Sequence, residues 1–245
     1  MSRALFLLFG TAAYLIFFAT FLYLIAFVGD LPGVPRTVDR GPEAATGVAL
    51  AINLALIALF GVQHSVMARP GFKARWTRIV PEPVERSTYV LVASLVLILM
   101  FSQWRPMSAV IWDIQNPIGA AIMWTLFAAG FAIVLVSTFL LSHFELFGLK
   151  QVWLNMRGAR PEPMKLAQPL FYKLVRHPLY TGFFLAFWAT PQMTAGHLLF
   201  ALGMSAYMLI GIVYEERDLV AHYGDEYVAY RGRVGMLAPR LRRRV

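Results

Sequence analysis

The sequence has no cysteine among its 245 residues. That removes disulfides, thiolate zinc sites, iron–sulfur clusters and a cysteine nucleophile from consideration. Charge is also scarce. Asp, Glu, Lys and Arg make up 14% of the chain, whereas 59% is hydrophobic and the mean hydropathy is +0.62. A soluble domain carries about 25% charged residues, and no water-soluble fold of this length could hide so much apolar surface. The composition therefore describes an all-α integral membrane protein. The five histidines (64, 143, 177, 197 and 222) show no HExxH-type ligand spacing, so no metal site is expected. A net charge of +9 in such a chain reports basic loops on one side of a membrane rather than a nucleic-acid surface.

Apolar runs long enough to approach or span a bilayer lie at about 5–28, 48–67, 89–104 and 119–142. Two shorter runs follow, at 180–192 and 197–214. Met193-Thr194-Ala195-Gly196 lies between them, so the pair reads as a tight helical hairpin. The expectation is a single membrane domain over 1–245 with five to six transmembrane helices. Four of them fall in 1–142, and 143–245 holds a loop, the hairpin and a C-terminal segment. The first run has an apolar core of about 24 residues, beyond the 7–15 of a signal-peptide core, and reads as a membrane helix. After Tyr214 the chain turns polar. Leu219, Tyr223, Tyr227 and Tyr230 recur at helical spacing through 216–231, an amphipathic pattern suited to the interface or to the hairpin mouth. The loop 155–165, with two prolines, reads as a flexible connection, and the run Arg240–Arg244 as a contact to anionic headgroups.

Basic residues set the expected orientation. With the N-terminus cytoplasmic, 19 of the 22 Lys and Arg fall on the inside, and only Arg36, Arg40 and Arg105 fall outside. Both termini are then cytoplasmic. Arg176-His177-Pro178-Leu179-Tyr180-Thr181-Gly182 and Glu215-Glu216, the two mouths of the hairpin, then meet at the cytoplasmic face. Ionisable residues crowded at a membrane boundary are a functional-site candidate by default.

Within the first motif, Pro178 suits the first turn of a helix, whose free N–H groups and dipole favour an anion. His177 and Tyr180 add donors, and Gly182 allows a close approach. The plainer reading is a headgroup-facing helix start. Glu215 and Glu216, read as the end of an apolar helix, face an unfavourable dipole. They call for Arg176, Arg217, Arg231 or a bound cation, for example a sulfonium; a ribose diol would also serve. His64 and His143 end the second and fourth runs on the same side, where either is a candidate general base or an interfacial residue.

The order R-H-P-x-Y-x-G at 176–182, E-E-x-x-L at 215–219, then Gly224, Tyr227, Tyr230 and Val234 resembles the isoprenylcysteine carboxyl methyltransferase superfamily. The match covers about 70 residues. The resemblance implies a helical hairpin enclosing S-adenosylmethionine, with His177 and Tyr180 near its methionine moiety and Gly182 lining the pocket. It implies that Glu215 or Glu216 holds the ribose or the charged part. The cofactor-binding set it implies is Arg176, His177, Pro178, Tyr180, Gly182, Glu215 and Glu216. Gly235 follows Val234 where the prenylcysteine enzymes carry proline. No GxGxxG turn after a strand offers the soluble dinucleotide-type route.

The segments FGVQHSVMARPGFK at 60–73 and STFLLSHFELFGLKQVW at 137–153 resemble the bacterial methanethiol S-methyltransferases, grouped with a denitrification-associated membrane family. This implies methyl transfer from S-adenosylmethionine to a small thiol, giving dimethyl sulfide from methanethiol in a bacterial inner membrane. Thiol pKa values start around 8.5, so a base is required, and His143 and His64 are the candidates. Three other readings stay open. One is methylation of a prenylcysteine-like carboxylate gripped by Arg231. The others are a nicotinamide-dependent reductase and a non-enzymatic membrane protein. Oligomeric state is not legible.

Overall fold

The computed structural model describes residues 2–159, 166 and 168–240. Apart from two short strands, its elements are helical. In chain order they are α1 Arg3–Val28, α2 Thr46–Ala68, α3 Pro70–Trp76, α4 Glu82–Gln103, β1 Val110–Asp113, α5 Pro117–Leu140, α6 His143–Leu146 and α7 Leu149–Arg157. A 3-10 turn at Leu170–Lys173 precedes α8 Pro178–Trp188, β2 Gln192–Thr194, α9 Ala195–Tyr223 and α10 Asp225–Arg233. Residues 160–165 of the proline-containing loop and 241–245 of the terminal basic run lie outside the described residues.

Five helices among the described residues are long and apolar enough to cross a bilayer: α1, α2, α4, α5 and α9. Their shafts expose Leu8, Val62, Ile118 and Phe139, which only lipid can cover at this density. The starts follow local chemistry. Asn116 caps α5 by accepting from the Ile118 and Gly119 amides at 2.9 and 3.0 Å, with Pro117 in the first turn. The fifth run is shorter than a full membrane span. With 11 residues, α8 is about 16 Å long, roughly half a hydrocarbon core of about 30 Å. Its partner is the reverse, a 29-residue helix that runs past Tyr214 to Tyr223.

The chain divides into two compact units. The first holds α1–α4, β1, α6, α7, β2 and the opening of α9 up to Met204. In it α4 packs against α1, α2 and α7. Gly10 lets α1 approach α7, since a Cβ there would come within 2.6 Å of Val152 Cγ2. Phe27, Phe101, Trp104 and Phe200 form an aromatic centre, and the Trp104 indole donates to the Val38 carbonyl at 3.1 Å. Asn53, buried within α2, clamps the backbone just beyond α4. Its Nδ2 donates to the Arg105 carbonyl at 2.8 Å and its Oδ1 accepts from the Arg105 amide at 2.9 Å. Asn53→Ala strands both backbone groups and should cost about 1–3 kcal/mol, read as a lower unfolding temperature in detergent.

The expected tight turn at Met193-Thr194-Ala195-Gly196 is replaced by a short antiparallel ribbon. β2 pairs with β1 in the register Val110↔Thr194, Trp112↔Met193 and Asp113↔Gln192, with a bulge between Val110 and Trp112. The Ala195 and Gly196 amides then donate to the Ala109 and Met107 carbonyls at 2.7 and 3.0 Å. Residues 105–116, which show no apolar run, thus satisfy backbone groups that a bare turn between two membrane segments would leave without partners.

The second unit holds α5, α8, α9 from Ser205 and α10. α5 and α8 cross at a pair of glycines. A Cβ on Gly182 would meet the Gly130 carbonyl at 2.6 Å, and one on Gly130 would meet the Ala186 amide nitrogen at 2.6 Å. α8 and α9 run antiparallel. Trp188 Nε1 donates to Ser205 Oγ at 3.0 Å near one end, and His177 and Tyr180 face Glu216 and Glu215 at the other.

Candidate cofactor site at the α8–α9 end

His177 ends the approach to α8 with φ −124° and ψ 62°, and Pro178 fills the first helical position as its fixed φ allows. This delivers three polar side chains to α9. Arg176 Nε donates to Glu216 Oε1 at 2.7 Å, His177 Nε2 donates to the same oxygen at 3.1 Å, and Tyr180 Oη donates to Glu215 Oε2 at 2.9 Å. Because a carboxylate only accepts, the proton sits on Nε2 of His177. Arg231 Nη1 lies 3.8 Å from Glu216 Oε2. The structure therefore brings Arg176, His177, Tyr180, Glu215, Glu216 and Arg231 together. Glu216 is sunk between its partners at 12% side-chain exposure, whereas Glu215 keeps 43%.

One expectation needs correction. Glu215 and Glu216 do not follow the helix; they lie two turns inside its C-terminal end, at Tyr223. The end-of-helix dipole penalty therefore acts beyond them, and Arg176, His177 and Tyr180 supply their compensation. Gly182 is buried against Gly130 and Val134, where the absence of a side chain lets α5 pack closely on α8.

The amphipathic stretch is two helices rather than one. Gly224 adopts φ +56°, a conformation that favours glycine, and turns the chain into α10. The tail then folds back along the RHP segment. The Arg176 and His177 amides donate to the Gly235 and Met236 carbonyls at 2.8 and 3.1 Å, and Thr181 Oγ1 donates to the Leu237 carbonyl at 2.9 Å. A Cβ on Gly235 would lie 1.9 Å from the Ala238 carbonyl oxygen, which explains glycine at this position in this turn. Tyr230 anchors α10 by donating to the Tyr172 carbonyl at 2.6 Å. Burial raises the Tyr230 phenol to about 12 and pushes those of Tyr172 and Tyr227 up as well, so all three remain donors at neutral pH. Sequence reasoning placed Tyr227 and Tyr230 on a helical face without seeing their burial. It missed Tyr172, Thr181 and the 234–237 strap, whose contribution is backbone carbonyls.

His64 and His143 belong to the first unit. The His64 ring packs between Phe60 and Tyr89 in tilted contacts, at centroid distances of 5.2 and 4.9 Å. His143 is buried and shares a 2.8 Å hydrogen bond between its Nε2 and the Tyr14 hydroxyl, with Phe144 and Phe147 edge-on to its ring. Burial lowers the His143 pKa below its usual 6.5. A histidine depressed in the folded state favours folding above its unfolded pKa, and that contribution is lost as pH falls from about 6.5 toward the folded value. The unfolding temperature should therefore drop on acidification below pH 6.5. His143→Gln, which retains a partner for Tyr14, should flatten that drop.

The sequence profile of the NnrU protein family matches residues 52–237. The chain belongs to the NnrU family. Among its relatives, a protein of Mycobacterium tuberculosis named methanethiol S-methyltransferase is 54% identical over 239 residues, covering 98% of both chains. One of the same name from Crocosphaera subtropica is 48% identical, covering 98% of this chain and 93% of its own. A more distant relative, nurim of Mus musculus, is 28% identical over 85% of this chain and 87% of its own. No solved structure matches.

Proposed function

We propose that this NnrU-family protein is an S-adenosylmethionine-dependent methyltransferase of the bacterial inner membrane that converts methanethiol to dimethyl sulfide, with both termini cytoplasmic. The observation that carries this reading is the shared name of relatives aligned over nearly the whole chain. The α8–α9 cluster supplies chemistry that fits S-adenosylmethionine. The half-exposed Glu215 offers acceptors to hydroxyl or ammonium donors and a negative charge to a sulfonium, while Glu216, fixed by Arg176 and His177, holds the arrangement rigid. The bound donor supplies an electrophilic methyl group.

The acceptor thiol must lose its proton. His143, kept neutral by burial and oriented by Tyr14, has the chemistry of the proton acceptor. With S-adenosylmethionine held by these residues, the thiolate sulfur would take its electrophilic methyl group, the new sulfur–carbon bond forming as the sulfonium's bond to that carbon broke and the electron pair leaving with the departing thioether. Two opposite charges disappear in this step, which a dry site assists. The distribution of basic residues supports the orientation, with 19 of 22 on the side assigned to the cytoplasm.

The test is a competition with methyl-labelled S-adenosylmethionine. Purified protein given methanethiol and a prenylcysteine analogue should place label in volatile dimethyl sulfide. Label recovered as a base-labile ester would overturn the acceptor, and label in neither product would overturn methyl transfer.

A further inference from the structure

His143 does not stand open to a thiol. It is 4% exposed, and its ring is walled edge-on by Tyr14, Phe144 and Phe147 at centroid distances of 5.7, 5.3 and 4.9 Å. Phe147 is held in turn by stacking on Phe17 at 3.8 Å. Nε2 of His143 already meets the Tyr14 hydroxyl at 2.8 Å, and Tyr14 is only half-buried. Of this pair, an entering molecule therefore meets the tyrosine first. Charged side chains on the neighbouring elements are committed to other partners. Glu145 of α6 holds Lys150 of α7 at 2.7 Å, and Arg86 of α4 donates to the Leu146 carbonyl at 2.7 Å.

His143 accepts a proton at Nε2 only in the tautomer that leaves this atom bare, and the Tyr14 hydroxyl then donates to it. A hydroxyl that donates still carries lone pairs on its oxygen. A thiol S–H can therefore point at the Tyr14 oxygen while the Tyr14 O–H points at the imidazole, which lines up two short proton transfers. Phe17, Phe18 and Phe144 pack around the Tyr14 ring at centroid distances of 6.1, 6.4 and 6.1 Å, so the phenol has a fixed orientation.

We infer that Tyr14 relays the proton of the acceptor thiol to His143. The S–H bond breaks as a new O–H bond forms on Tyr14, and the proton that Tyr14 carried passes to His143 Nε2. A thiolate, a neutral tyrosine and an imidazolium result, and the imidazolium returns its proton to water once the methyl group has moved. The inference rests on methyl transfer to a small thiol with His143 as the proton acceptor, and adds Tyr14 as the catalytic residue that touches the thiol.

The test measures dimethyl sulfide formation from methanethiol at saturating S-adenosylmethionine, across pH, for purified wild type, Tyr14→Phe, His143→Gln and the double variant. Phenylalanine keeps the ring packing and removes only the hydroxyl. At about pH 7, Tyr14→Phe should be about 100-fold slower, within the ~10²–10⁴ range of general-base catalysis. Its deficit should shrink about tenfold per pH unit as the thiol ionises without help. The double variant should be no slower than the slower single one, because both substitutions break one relay. Equilibrium binding of S-adenosylmethionine to Tyr14→Phe should match wild type. No deficit, a deficit that stays constant with pH, additive losses in the double variant, or weakened cofactor binding overturns the inference. If wild type makes no dimethyl sulfide at any pH, the methyl-transfer reading itself falls.

Discussion

Glu216→Ala protein should bind S-adenosylmethionine more weakly than wild type, by up to about 100-fold. Glu216 is the hub of the α8–α9 end, accepting from both Arg176 and His177 while itself little exposed. Truncating one member of a buried charged pair leaves the other uncompensated, a penalty of about 3–5 kcal/mol. Because each 1.4 kcal/mol is a factor of ten, about 3 kcal/mol of that penalty falling on the binding-competent arrangement would give about two orders of magnitude. Part of it would appear as lost stability, because Arg176 also holds the Arg231 and Val234 carbonyls and would swing to find a new anion. Glu216→Gln retains one acceptor oxygen and should fall between the two. The check is a titration of S-adenosylmethionine into detergent-purified protein alongside thermal unfolding. Undiminished affinity in Glu216→Ala would remove this cluster from the cofactor site.

Gly182→Val should fail to accumulate as folded protein in membranes. The atoms facing the missing Cβ include the Gly130 carbonyl oxygen at 2.6 Å and the Val134 amide nitrogen at 2.9 Å, and backbone atoms cannot swing aside like a side-chain end. Relief requires prising α5 from α8, the best-packed helix pair of the second unit. Overpacking of a tight core typically costs about 1–3 kcal/mol and can cost more, and valine adds three carbons where backbone atoms face the site. Gly182→Ala should be unstable to a smaller degree. Gly47→Ala, where a Cβ meets nothing within 4 Å, should be unaffected. Size-exclusion profiles of the three proteins read this directly, and a monodisperse Gly182→Val would contradict the close crossing.

Much of this architecture was legible because lipid writes its demands into composition. The five long helices follow from apolar runs with few charges, and only their ends shifted. The meeting of 176–180 with 215–216 was legible from a helical hairpin that returns the chain to its starting level. Three features were not. The length of α9 was hidden because Glu215 and Glu216 look like a helix end, whereas Arg176 and His177 make carboxylates tolerable inside one. The β1–β2 ribbon is seven residues of backbone pairing with no alternating pattern to betray it. Gly182 stood beside reactive-looking neighbours, so its meaning was sought in a ligand. Its steric role depends on Gly130, 52 residues away, which no local pattern reveals.

The account turns on methyl transfer to a small thiol, and headspace gas chromatography tests it most directly. Membranes containing the protein are given S-adenosylmethionine and methanethiol, and dimethyl sulfide is measured against membranes containing His177→Ala. The account predicts dimethyl sulfide that requires both substrates and is abolished in the variant. No dimethyl sulfide from the wild type, or equal amounts from both, would contradict it.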